Sequence, residues 1–386
     1  MSESPETPRR VLTRDVISLL LATSGAFAGF FLLLSVAPLY AVEAGATSSG
    51  AGIVTGALML STVATQLAVP WLLGRLGYRT TLALGLLFLG APALALVWAS
   101  GLPAILVATL LRGVGFGIVT VVGGALVAEL VPAEHRGTGV GLYGIAVGVP
   151  NVLALPLGVW LAENVGFGPV FVAGAGAPLL GLPALLALSV PAPAAEGEGL
   201  GVLAGLLDGW LARPFVVLCG VTLAAGVVIT FVPLAAGGGA ASAALLAQAT
   251  ATTATRWLGG VFGDRYGPRR LLAPGVLAAG VGVTSPAWAE NTALLVAGMV
   301  LFGAGLGVLQ NATLVLMFER AGPQGYGSAS ALWNVAFDAG TGLGAVVFGF
   351  VVQYAGFGVA FPLTGALVLA TLILVRLDRI SDKKAP

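Results

Sequence analysis

The sequence predicts an all-α membrane protein, with twelve transmembrane helices in two pseudo-symmetric six-helix bundles. Three observations lead there. The first is composition: 58% of the 386 residues are hydrophobic and only 9% are charged, with a mean hydropathy of +1.02, whereas soluble domains carry roughly 25% charged residues. So much apolar surface cannot be hidden from water, so the solvent is lipid. The second is a phrase that occurs twice. Arg75, Gly77 and Arg79 return as Arg265, Gly267 and Arg269, an offset of 190. The register then holds without a gap: Gly113, Gly115 and Gly117 match Gly303, Gly305 and Gly307, Glu129 matches Glu319, and Gly166-Phe-Gly168 matches Gly356-Phe-Gly358. A repeat of this length means two related halves. The third is the sidedness of the charges, which orients the spans.

Taken in order, residues 1–14 form a polar tail, and the apolar run 15–40 is long enough to be a permanent span rather than a cleaved signal. Spans follow at 50–73, 80–100, 103–131, 137–162 and 168–190, which closes a first bundle over 15–190. Pro38 and Pro233 match at an offset of 195, so the first half holds a few extra residues before Gly74, placed in the Glu43–Gly50 loop. A linker at 191–212 opens with Pro191, Pro193, Glu196 and Glu198 and is too short for a folded domain. Its Leu200–Trp210 stretch is expected to lie in the interface as an amphipathic helix. The second bundle, 213–377, takes spans at 214–236, 238–262, 271–289, 292–319, 326–353 and 358–376, before a tail at 378–386. The 58 glycines suit close helix approach in lipid.

With the N-terminus in the cytoplasm, Arg75, Arg79, Arg136, Arg213, Arg265, Arg269, Arg320 and the Arg and Lys residues of both tails fall on that side. The outer connections hold Glu43, Glu163 and Glu290 and no Lys or Arg. This is the positive-inside pattern. Arg112 falls within a span, and Arg256 is the other candidate. A net charge of +1 argues against a nucleic-acid partner. The single Cys219 lies in an apolar run and reads as a packed thiol.

Around the second basic turn the chain reads Gly260-Val-Phe-Gly-Asp264-Arg265-Tyr-Gly267-Pro-Arg269. This resembles the inner-loop signature of the major facilitator superfamily, G-x-x-x-D-R-x-G-x-[RK]. The resemblance extends to span count, halves and orientation, and implies a secondary transporter whose halves rock around a midplane site. It also implies that the signature Asp binds across to the other half and helps hold the outward-open state. The first copy departs from the pattern, with Pro70 and Gly74 in place of the Gly and the Asp. Only Asp264 can therefore act, toward the start of the fifth span near Gly137. Glu129 and Glu319 can pair with Arg79 and Arg269 within their own halves, or all four can simply meet solvent and fix topology. The expected cytoplasmic gate is thus Arg75, Gly77, Arg79, Glu129, Asp264, Arg265, Gly267, Arg269 and Glu319. Arg112-Gly-Val-Gly-Phe-Gly117 resembles the fourth-helix motif associated with proton-coupled members, while Phe302 stands at the repeat position. Gly144, Gly148, Pro150 and Pro156 are similar to the fifth-helix pattern of drug-exporting antiporters.

A charge at the bilayer centre costs roughly 2.5–3.5 kcal/mol on insertion scales and needs a reason. Asp338, in the eleventh span, is the one acid clearly at depth. With Arg112 it is the expected proton-coupling pair. The plainer reading is that Asp338 only accepts hydrogen bonds from Asn334 or Gln66. The expected cavity is lined by Gln66, Asn151, Gln310, Asn311, Trp333, Asn334, Phe116 and Tyr143, mildly polar with aromatic surface. Thr250, Thr252, Thr253 and Thr255 are expected to bond their own helix carbonyls. Such a cavity suits a small, largely apolar, neutral or weakly charged solute; a phosphate ester would need a denser basic cluster. One His (His135), one Cys and one deep Asp supply no triad, metal cluster or acid pair, so no enzyme, metal or cofactor is expected. The sequence therefore reads as a proton-coupled exporter, or alternatively an uptake symporter or facilitator. It is expected to be a monomer in a bacterial inner membrane with both termini cytoplasmic. A receptor on this fold would lack a coupling residue and usually gain a soluble domain.

Overall fold

The computed structural model describes residues 12–131, 136–189, 209–322 and 326–382. Arg9, Arg10, His135, most of the linker, Lys383, Lys384 and the side chains of Arg136 and Arg379 lie outside the described set, as does any partner of Asp264 at Gly137. Among the described residues there is helix and turn but no strand, as lipid demands of an open chain.

Helix α1 (Arg14–Leu34) starts at Thr13, whose Oγ1 accepts the Val16 N–H at 3.3 Å, a capping bond for an otherwise orphan donor. After Ser35 it resumes as α2 (Val36–Glu43), and the two make one span. Helix α3 (Ser48–Ala95) has 48 residues. A straight helix of that length would be roughly 70 Å long against a hydrocarbon core of about 30 Å. It bends back at Gly77 (φ 72°, ψ 170°), a conformation open in practice only to glycine, so it makes two spans. The helices α4 (Leu102–Leu130), α5 (Arg136–Asn164) and α6 (Phe167–Leu179), the last extended by a 3₁₀ turn at Pro183–Ala187, complete the first half. The second half holds α7 (Gly209–Ala236), α8 (Gly238–Tyr266) and α9 (Pro268–Gly282), with a 3₁₀ turn at Ser285–Trp288. It ends with α10 (Thr292–Ala321), α11 (Tyr326–Ala355), α12 (Phe357–Ala370) and α13 (Leu372–Asp382).

Among the described residues, ten segments are long and apolar enough to cross a membrane. The α3 segment counts twice once divided at Gly77. Helix α8, with 29 residues, has the length but not the hydropathy. Together these account for twelve.

The repeat is visible in the backbone and in the packing. Gly267, the partner of Gly77, also has a positive φ of 84°. Equivalent glycines also touch equivalent atoms. A Cβ at Gly115 would meet the Leu89 nitrogen and the Gly85 carbonyl; one at Gly305 would meet the Ala279 nitrogen and the Gly275 carbonyl. Each of those neighbours is displaced by the same 190 positions.

The bundles meet mainly along α3 and α11. A Cβ at Gly52 would strike the Ala345 carbonyl, one at Gly56 the Val346 side chain, one at Gly342 the Met59 side chain and one at Gly349 the Ser48 carbonyl. Ser35 Oγ donates to the Ile229 carbonyl at 2.7 Å, and the Thr55 and Thr230 hydroxyls are bonded at 2.8 Å. Glu163 Oε1 accepts from the Gly238 N–H, at the start of α8, at 2.6 Å. These contacts all lie between the midplane and the face away from Gly77 and Gly267. The two bundles are therefore sealed against each other on that face.

Candidate coupling and substrate site

The seal ends at Asp338. Its side chain is 5% exposed, held on α11, and Oδ2 accepts from Gln66 Nε2 at 2.7 Å. Gln66 belongs to α3, so this bond joins the two halves. The same amide nitrogen donates to Thr120 Oγ1 on α4 at 3.3 Å, and that hydroxyl donates to the Gly117 carbonyl at 3.1 Å. Gln66 Oε1 is buried and has no hydrogen-bond partner. A carboxamide has both a donor end and an acceptor end. It can donate to a carboxylate or, turned over, accept from a carboxylic acid.

Arg112 is fully buried, and Nε, Nη1 and Nη2 all lack a hydrogen-bond partner. It makes no hydrogen bond to Asp338. One turn further on, Phe116 stacks on Phe30 with ring centres 3.5 Å apart and meets Phe27 edge-on at 5.5 Å. The guanidinium thus sits on the helix face that carries this aromatic cluster. Buried polar groups are nearly always paired, which makes Arg112 an anomaly of the resting arrangement.

In the second half, Trp333 Nε1 donates to Thr313 Oγ1 at 3.2 Å, and its ring stacks on Phe337 at 5.6 Å. The Arg256 guanidinium lies 5.6 Å from the Trp333 ring centre. Tyr143, the repeat partner of Trp333, has its hydroxyl against Gly123, the repeat partner of Thr313. The structure places the other expected cavity residues as follows. Asn334 Nδ2 donates to its own helix at Ser330, at 2.9 Å. Asn311 packs on Gly259, Gly260 and Gly263 of α8, at a helix–helix contact rather than on the cleft. Gln310 is buried and Asn151 half-buried. The threonines at 252, 253 and 255 bond the carbonyls of Gln248, Ala249 and Ala251.

At the basic turns, Arg75 lies over Trp71 at 4.3 Å and Arg265 over Tyr266 at 5.4 Å. Asp264 is exposed and takes no hydrogen bond from a described residue. Arg79 and Glu129 are both exposed with no ion pair between them, and Glu319 is exposed as well; Arg269 is half-buried. The expected gate residues lie together at the basic turns, on one face of the bundle.

Sequence reasoning gave Arg256 as a candidate within a span but assigned it no role, and it missed Thr120 and the Ser35, Thr55 and Glu163 seal. One signal was available for the first. Counting 190 on from Gln66 gives Arg256, so the two midplane polar side chains of α3 and α8 occupy equivalent places.

A duplicated bundle of membrane helices, its halves packed together on one side and joined at a buried carboxylate, defines a membrane transporter rather than an enzyme. The chain belongs to the Major Facilitator Superfamily, whose family model matches residues 19–239 and 214–386. It is similar to the staphylopine export protein of Staphylococcus aureus, 28% identical over 155 residues, which is 39% of this chain and 37% of that one. It is also similar to the multidrug efflux pump LfrA of Mycolicibacterium smegmatis, 35% identical over 120 residues, or 30% of this chain and 23% of that one. These matches span well under half the length of either relative. Among solved structures, a POT family transporter in complex with a thioalcohol-conjugated peptide has a TM-score of 0.80 at 12% identity, covering 95% of this chain and 96% of that one. The nucleoside transporter NupG has a TM-score of 0.75 at 14% identity, covering 97% and 100%. At such identities the likeness concerns the fold alone.

Proposed function

We propose that this protein is a proton-coupled exporter that moves a small, largely apolar solute across the cytoplasmic membrane by alternating access. It would work as a monomer, with both termini cytoplasmic and bundles at 15–190 and 213–377. The observation that carries this reading is the Gln66–Asp338 bond at 2.7 Å. A carboxylate enclosed where the seal ends is positioned to meet each side of the membrane in turn, and its partner can serve both the charged and the neutral form. Proton loss at Asp338 changes a bond between the bundles, so protonation and rocking are mechanically linked. Arg112, buried without a partner, is the cation positioned to respond when the cleft rearranges. The export relatives and the Gly and Pro pattern of α5 support the outward direction.

Asp338→Asn in the full chain should abolish transport driven by a pH gradient in inverted vesicles, by at least tenfold, while leaving solute exchange. Gradient-driven transport at the wild-type rate in that variant would overturn the coupling role. The alternative reading is an uptake symporter or facilitator for a small metabolite, which the same Gln66–Asp338 bond would serve.

A further inference from the structure

Among the described residues, Arg256 is the one cation near the midplane that is solvent-accessible. Its position on α8 shows which way it points. Thr252, Thr255 and Gly259 of that helix face α10, where Thr255 Oγ1 donates to the Ala304 carbonyl at 3.1 Å. Thr253 lies 3.6 Å from where a Cβ at Gly148 of α5 would stand. Position 256 falls between those two directions at about 100° per residue, toward the cleft and α11. The contact with the Trp333 ring confirms it. The guanidinium makes no hydrogen bond or ion pair with a described residue, so its five donors are uncommitted. A cation held in the membrane interior without a protein counter-ion is costly, and an anionic solute would offset that cost.

We infer that Arg256 and Trp333 form the solute's recognition site, and that the transported solute carries an acidic group, a carboxylate or similar monoanion, next to a ring or flat apolar body. The acidic group would take the guanidinium's paired N–H donors, the geometry Arg offers to planar oxyanions. The apolar body would lie along the Trp333–Phe337 stack, whose rings are 5.6 Å apart. On the opposite wall the equivalent place holds Gln66, already bonded to Asp338. The pseudo-symmetry therefore divides two tasks, proton on one side and solute anion on the other. Arg112 is fully buried and not accessible in this way. This inference rests on the transport reading but is independent of direction and of proton coupling.

The test is equilibrium binding to the purified full chain in nanodiscs, without any gradient. The probes are aryl carboxylates of one to three rings, each compared with its neutral amide. At least one acid should bind tenfold or more tightly than its amide. Arg256→Gln should remove that preference while leaving amide affinity within about twofold, Arg256→Lys should retain part of it, and Trp333→Leu should weaken acid and amide alike. Elution volume and melting temperature would verify that each variant is folded. If the acids and amides bind equally across the set, if no acid binds, or if Arg256→Gln keeps the preference, the inference is overturned. None of those outcomes touches the Asp338→Asn result, so the two readings fail separately.

Discussion

At the scale of the residue, two glycines do what no other side chain could. Gly77 and Gly267 turn the chain at positive φ with ψ of 170° and 138°, a region essentially closed to residues bearing a Cβ. The arginines on either side can then leave the membrane while both flanking helices stay in it. Neither glycine has another atom within reach of an added Cβ, so the penalty for substitution comes from the backbone and not from crowding. Gly77→Ala and Gly267→Ala should each destabilise the protein by about 1–3 kcal/mol, seen as a lower melting temperature in detergent. By contrast Gly74→Ala, in a helix with equally open space, should be neutral or slightly stabilising. If all three behaved alike, the backbone explanation would be wrong. Asp338 was legible in the sequence because a lone acid in an apolar run stands out. Arg256 was legible only as a candidate for a charge within a span, because its neighbourhood is the least apolar span and gives the weakest signal. The fixed repeat offset, applied to polar residues as well as to motifs, points to it.

At the scale of the element, the α3–α11 contact is built from small residues. Gly52, Gly56, Gly342 and Gly349 let two backbones approach closely, which in lipid is a principal source of helix association. The seal adds polar bonds, of which Glu163 to the first turn of α8 is the charged one, at 2.6 Å. An anion at a helix N-terminus also gains from the helix dipole, by about 0.3–1 kcal/mol when exposed. Removing that charge should therefore shift the balance toward the state open on the opposite face by up to about fivefold. Glu163→Gln, combined with Val346→Cys in a Cys219→Ser background, should label faster with an impermeant maleimide applied from the Glu163 side. Unchanged labelling would remove Glu163 from the seal. The helices themselves could be read from apolar runs, except where composition misleads. Helix α8 falls short in hydropathy because its threonines, bonded to their own backbone, and its cleft-facing Arg256 dilute the apolar signal. The seal could not be read at all, since Ser35, Thr55 and Thr230 are ordinary residues until the fold brings them together across the bundles.

At the scale of the whole molecule, duplication provides two walls for one passage, and the divergence between the walls provides the chemistry. The shared glycines preserve equivalent packing, as at Gly115 and Gly305. The midplane residues have diverged into Gln66 against Arg256, Arg112 against Phe302, and Asp338 against Gly148. The state of the cleft was not legible, because the same residues must serve both ends of the cycle and a sequence does not rank them. Gln66 and Asp338 of one chain bond to each other across its two halves, and we propose that one chain supplies both walls. A monomer should then be fully active by itself. Wild-type chain mixed at equal amounts with Asp338→Asn, solubilised together and reconstituted at high density, should show about half the gradient-driven rate of wild type alone at the same total protein. An obligate dimer needing two working carboxyls would give about a quarter, because only that fraction of random pairs is intact. A rate near one quarter would mean that coupling crosses between chains and that the bundle drawn from one chain is not the working unit.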